Sequence, residues 1–206
     1  MKQGAAPLPV DVSRETEERL NDLVALLLVW NKTINLISRG DEKLVWQRHV
    51  RDSLALVALM STDLTRATDL GSGAGFPGLV LAIATGTHFD LIEADQRKCA
   101  FLREAVRKTA APVTIHPTRI ESARVPPAML ITARALAPLV TLLGWAAPLL
   151  ALGGICLFPK GRGVTEELTA AAIEWQMRVE RLPSATDPTS TILRISEIAR
   201  VGPSNQ

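Results

Sequence analysis

Asp69-Leu70-Gly71-Ser72-Gly73-Ala74-Gly75-Phe76-Pro77-Gly78 sits between a short apolar run at 67–70 and a longer one at 79–85. Four of its eight residues from 71 to 78 are glycine. A backbone without Cβ atoms can turn sharply and come close to a ligand. Pro77 suits the first turn of a helix, where its missing N–H has no intrahelical partner to lose. A strand, a glycine-rich turn and a helix N-terminus together make the loop that holds nucleotide-type cofactors. A plain strand-to-helix turn needs fewer glycines.

Outward from this loop the pattern alternates between strands and helices. A second strand is expected at 88–94, ending in Glu93, then a basic amphipathic helix at 96–109 with Leu102, Ala105 and Val106 inward. Further strands are expected at 113–116, 128–133 and 154–158, with helices at 138–150 and 166–173. Two final strands, 177–182 and 190–198, flank a loop containing Pro183 and Pro188. The expected fold is α/β with a mostly parallel sheet. Upstream, residues 1–12 read as a loose arm. Ser13 caps a helix whose Leu20, Leu23, Val24, Leu27 and Leu28 form one apolar face. Residues 31–36 form a connector. A second helix over about 40–60 would carry Trp46, Val50, Leu54 and Val57 on one side. Residues 1–62 are too few for a core of their own, so they are expected to pack as a helical extension on a domain spanning 63–206.

The chain has 206 residues, of which 47% are hydrophobic, enough for a sizeable core. Its longest uncharged apolar run, 135–157, is broken by Pro138, Gly144, Pro148, Gly153 and Gly154, which argues against a membrane span. No signal pattern opens the chain, so a cytoplasmic location is expected. Cys99 and Cys156 sit among apolar neighbours, and His49, His88 and His116 are widely spaced. Neither set suggests a metal site. The net charge of +2 is unevenly spread. Residues 97–134 hold eight Lys or Arg against two acids, the kind of excess that attracts a phosphate backbone.

Gly73 to Gly78 fits G-x-G-x-x-G, and Glu93 stands where a carboxylate accepts ribose hydroxyls. These features serve NAD(P) and S-adenosylmethionine alike, so a nicotinamide-dependent oxidoreductase using residues 73–78 stays open on chemistry alone. Asp69, as a carboxylate near a cationic ligand, and Ile120-Glu121, as adenine-flanking residues, lean toward the methyl donor.

Six ordered stretches add a resemblance. They are Asn31-Lys32-Thr33-Ile34-Asn35-Leu36, then Arg48-His49-Val50-Arg51-Asp52-Ser53-Leu54, then Asp69 to Gly78. Leu91-Ile92-Glu93 with 98–106, Thr132-Ala133-Arg134-Ala135, and Gly153-Gly154 through Pro159-Lys160-Gly161 complete them. With these the chain resembles the RsmG (GidB) family, which methylates N7 of a guanosine in bacterial 16S ribosomal RNA. The resemblance implies a class I S-adenosylmethionine-dependent methyltransferase fold, Rossmann-like, with an N-terminal helical extension and a seven-stranded sheet whose last strand is antiparallel. It implies a methyl-donor site at Gly71, Gly73, Phe76, Glu93, Ile120, Glu121 and Arg134. It also implies 16S ribosomal RNA or the small ribosomal subunit as partner, with Lys160, Arg103 and Arg107 as candidate RNA contacts. Ile120 departs from the small alanine usual at its position.

N7 of guanine carries an unshared pair outside the ring π-system, so its attack on a methyl sulfonium needs no general base. No catalytic residue is therefore expected beyond groups that position the base. The competing reading of Arg134 is an ion pair with Asp69 or Glu121, and that of Lys160 is a solvated lysine. His49 and Asp52, one helical turn apart, are expected to bond locally and anchor the extension. The four tryptophans are expected in the core. A non-catalytic RNA-binding ribosome-assembly protein is the remaining alternative.

Overall fold

The structure, a computed structural model, describes residues 10–202 except Ala185 and Pro188. Most of the expected arm, residues 1–9, and Pro188 of the expected loop lie outside the described residues.

Seven strands form one sheet: β1 (Arg66–Leu70), β2 (His88–Ile92), β3 (Val113–His116), β4 (Ala128–Ala133), β5 (Leu150–Lys160), β6 (Trp175–Pro183) and β7 (Thr191–Arg200). Their order is β3-β2-β1-β4-β5-β7-β6. The first five pair in parallel, and β7 runs antiparallel to both neighbours. Short connections explain that reversal: only residues 184–190 separate β6 from β7, too few for the crossover a parallel pair needs. The chain winds outward in both directions from β1 and β4, so the sheet has its switch point above their carboxyl ends.

Helix α1 (Arg14–Trp30) is capped by Ser13 Oγ, which accepts from Thr16 N–H at 3.1 Å. Its Leu20, Leu23 and Leu27 share one buried cluster with Val50 and Leu54 of the extension and with Leu79, Phe89, Leu91 and Phe101 beyond it. The extension thus covers one sheet face together with α3 (Gly78–Thr85) and α4 (Gln96–Thr109). On the other face α5 (Leu139–Ala146) and α6 (Val164–Glu174) pack on Ile131, Cys156, Phe158 and Leu193. Truncating any of these buried leucines to alanine would cost about 2–5 kcal/mol.

The expected helix over 40–60 is not continuous. Residues Arg39–Leu44 form a 3-10 turn, Trp46–Val50 a π turn, α2 only Arg51–Leu54, and Val57–Leu59 another 3-10 turn. Two side-chain bonds explain the interruption. Ser53 Oγ donates to the His49 carbonyl at 2.7 Å, and Arg134 Nη2 donates to the Arg48 carbonyl from outside the helix. Both compete for carbonyls a regular helix would use. The helix expected over 138–150 likewise stops at Ala146, and β5 is longer than expected, starting at Leu150 and running through Pro159. Among the tryptophans only Trp175 is fully buried; Trp30, Trp46 and Trp145 are half-buried. Trp30 Nε1 donates to Glu104 on α4 at 3.1 Å, which ties α1 to it.

Candidate functional site

Above the switch point lies an open cleft of about 1080 Å³. The glycine loop forms one wall. Its sharp turn depends on Gly71, at φ +62°, where a Cβ would lie 2.4 Å from Leu136 Cδ1. Gly78, where α3 begins, is as closely confined: a Cβ there would meet Asp69 Cβ at 2.6 Å and Leu91 Cδ2 at 2.7 Å. Glycine at both positions lets the loop fold flat onto the strand ends.

Glu93 lines the cleft just past β2. Its Oε2 accepts from Gly73 N–H and its Oε1 from Asp95 N–H, each at 2.8 Å. A carboxylate offers about four lone-pair positions, so Glu93 keeps acceptor capacity while its backbone partners fix its direction. Ile120 and Glu121 stand in the 3-10 turn Ile120–Ser122 after β3 and line the cleft beside it. Phe76, Gly71, Gly73 and Arg134 line it too, so all seven residues that the resemblance implies for the methyl-donor site reach one cavity.

Asp69 does not. It is fully buried beneath the loop, its Oδ1 accepting from Thr132 Oγ1 at 2.6 Å, and its Oδ2 has no hydrogen-bond partner. Burial pushes its carboxyl up to about 6, against the hydrogen bonds from Thr132 and Ser72. It braces the loop from below instead of facing a ligand. The competing reading of Arg134, a pair with Asp69 or Glu121, does not hold, and its ion pair is with another residue: Arg134 Nη2 lies 3.1 Å from Asp52 Oδ2. Asp52 also accepts from Thr186 Oγ1, so one carboxylate ties β4, the extension and the β6–β7 connection together. Burial raises the Asp52 carboxyl and lowers the Arg134 guanidinium, as expected for charges drawn out of water. Arg134 Nη1 is buried with no hydrogen-bond partner.

The local bond expected between His49 and Asp52 is absent, because Asp52 is taken by Arg134 and Thr186. His49 stacks instead on Phe76, with ring centroids 5.0 Å apart. Lys160 lines the cleft but is not solvated. Its Nζ donates to the Ala137 carbonyl at 2.9 Å and to Glu167 Oε2 at 2.7 Å. Its charge is therefore already matched. Arg103 and Arg107 lie on the exposed side of α4, outside the cleft; Lys98 of the same helix lines it.

A wall that sequence reasoning missed comes from the extension: Leu36, Ile37, Asp41, Arg48, His49 and Asp52. The connector preceding it is held by Asn31, whose Oδ1 accepts from Leu36 and Ile37 N–H at 2.9 and 3.0 Å and whose Nδ2 donates to Glu42 at 2.8 Å. The signal was present in the two motifs at 31–36 and 48–54, but neither has a spacing that names its partners.

The family profile described as rRNA small subunit methyltransferase G (GidB) matches residues 16–192. Ribosomal RNA small subunit methyltransferase G of Acidiphilium cryptum is 56% identical over 215 residues, covering 97% of this chain and 99% of the relative. The protein of the same name from Granulibacter bethesdensis is 53% identical over 195 residues, covering 95% and 92%. Among solved structures, ribosomal protein L11 methylase from Lactobacillus delbrueckii subsp. bulgaricus superposes with a TM-score of 0.60 at 14% identity, covering 72% of this chain and 78% of that one. Cofactor-bound Rv0187 from MTB gives 0.57 at 14% identity, covering 86% and 89%. These two likenesses concern the fold, a class I methyltransferase sheet. The profile and the relatives extend across the glycine loop, the strand ends and the extension alike, and the chain belongs to the rRNA small subunit methyltransferase G family.

Proposed function

We propose that this protein transfers the methyl group of S-adenosylmethionine to N7 of a guanosine in 16S ribosomal RNA, as free RNA or within the small subunit, in the cytoplasm. Family membership across most of the chain carries the reading. The cleft fits the cofactor on one independent point: Arg134 Nη1, a buried cation donor without a partner, suits a carboxylate. Glu93 has lone pairs left for ribose hydroxyls, while Phe76 and Ile120 offer apolar surface to an adenine beside Glu121. Gly71 and Gly73 let the backbone approach. The bound cofactor supplies an electrophilic methyl sulfonium.

The residues of this chain then position the acceptor. N7 needs no deprotonation, so holding it in line with the methyl group accounts for the catalysis. Asp41, Asp52 and Glu167 line the cleft, where carboxylates would favour the positive charge that develops on the methylated base. The guanine must leave its stack to enter. Lys98 at the cleft and Arg103, Arg107 and Lys108 beyond it on α4 would meet RNA phosphate; replacing all four by Gln should reduce RNA affinity and flatten its salt dependence.

Primer-stop mapping of N7-methylguanosine in 16S RNA, from cells with and without the active gene, tests the proposal. A modification lost with the gene and restored by it is expected. An unchanged pattern would overturn it. Gly73→Asp should abolish the modification, whereas a non-catalytic assembly protein would keep its cellular role with that change.

A further inference from the structure

The extension brings an imidazole to the cleft whose placement the cofactor contacts leave unexplained. His49 stacks on Phe76 of the glycine loop with planes 19° apart, so the ring shares a wall with the methyl-donor site. Its Nε2 is buried, lacks a hydrogen-bond partner and lies 3.8 Å from Asp41 Oδ2. Asp41 is itself held in place by Ser38 Oγ at 2.8 Å and by Arg48 Nη1. No described group hydrogen-bonds Nδ1, so the ring keeps one nitrogen toward a fixed carboxylate and one for a ligand.

The charge of the ring follows from its surroundings. Burial, then the nearby Arg134 cation, hold His49 down to about 4, with Arg48 acting the same way and Asp41 opposing. At neutral pH the imidazole is uncharged and carries one N–H. The Asp41 carboxylate favours that proton on Nε2, which leaves a lone pair on Nδ1.

We propose that His49 reads the acceptor base: with Asp41 orienting the ring, Nδ1 accepts a hydrogen bond from the N1–H and N2-amino edge of the target guanine. This rests on the guanine-N7 reading above. Guanine presents two donors on that edge, whereas adenine presents the N1 lone pair, which would face the Nδ1 lone pair. The same contact leaves N7, on the opposite edge of the base, turned toward the methyl group. A neutral ring also avoids the repulsion an imidazolium would exert on the cationic product. Asp41 acts through His49 and is a positioning residue.

The experiment uses the full chain, labelled S-adenosylmethionine, and 16S RNA fragments carrying guanosine or adenosine at the mapped target. His49→Phe keeps the stack on Phe76 and removes both ring nitrogens; His49→Asn restores an acceptor. His49→Phe should lower kcat/KM for the guanosine fragment, and the guanosine-over-adenosine ratio, by about tenfold or more. Cofactor affinity by calorimetry and the melting temperature should stay near wild type. His49→Asn should recover part of the ratio, and Asp41→Asn should fall between wild type and His49→Phe. An unchanged ratio in His49→Phe overturns the assignment, as does a loss that tracks cofactor affinity or melting temperature. A wild type that leaves 16S RNA unmethylated overturns the proposed function itself and this assignment with it. A wild type that methylates N7 while His49→Phe does so equally well overturns only the assignment.

Discussion

The glycine-loop wall of the cleft, residues 71–76, takes its shape from the backbone: positive φ angles, absent Cβ atoms and a buried carboxylate beneath it. The adjoining wall, residues 36–52, takes its shape from side chains bonded across long sequence distances, in a segment where regular helix breaks three ways. The first wall is stiff and local. The second is assembled from Asn31, Asp41, Asp52 and Arg134, and stays in place only while those bonds hold. In the function proposed above, delivery of the methyl group would fall to the stiff wall, and choice of the acceptor to the assembled one.

The comparison breaks most sharply at Gly78. A Cβ there has buried Asp69 and Leu91 within 3 Å, so Gly78→Ala should lower stability by about 3 kcal/mol in urea unfolding. A loss under 1 kcal/mol would show that the first wall yields as readily as the second. Asp69 tests the same wall through pH. Its folded carboxyl lies at about 6 against 3.8 for the free group, so its contribution to stability is complete below pH 3.8 and lost as pH rises through 6. Asp69→Asn should therefore gain on wild type by up to about 3 kcal/mol between pH 4 and 7, whatever the fixed offset. His49 acts oppositely: with its folded value at about 4, its contribution is complete above pH 6.5 and lost as pH falls toward 4. The two slopes offset each other in wild type, so unfolding curves of Asp69→Asn should show stability rising with pH over that window.

In the assembled wall, Asp52→Ala leaves Arg134 Nη2 with only the Arg48 carbonyl and Thr186 Oγ1 with only Ser184 Oγ. Both partners are about one-fifth exposed, so water takes over part of the loss, and a cost of about 1–2 kcal/mol is expected. Cofactor affinity, measured by calorimetry, should fall with it. Asn31→Ala should cost about 1 kcal/mol by freeing residues 36 and 37, with a rise in KM for RNA larger than any change in cofactor affinity.

The same contrast explains what was legible in the sequence. Apolar periodicity and the glycine spacing located the helix after Ser13, the basic helix at 96–109, the strands at 113–116 and 128–133, and the strand–loop–helix that holds the site, because those elements answer to local rules. The broken segment at 39–59 escaped, since its Arg48 carbonyl is claimed by Arg134, a residue 86 positions away. Asp69 looked like a ligand contact because a carboxylate two residues before a glycine loop carries no mark of which way it points. Lys160 looked available because its partner Glu167 lies on the next helix. Charged pairs formed through tertiary packing leave no period to read.

The bond from Asp52 to Thr186 spans 134 positions, and β7 inserts between β5 and β6 only once residue 200 exists. At ordinary rates of synthesis that span takes roughly 7 to 27 s to make. For much of that interval the nascent chain already carries the glycine loop while Asp52 still lacks its Thr186 partner. The strand ends and the glycine loop are therefore made before the connection that ties Asp52 in place, and the cleft gains its last brace only when the β6–β7 connection arrives.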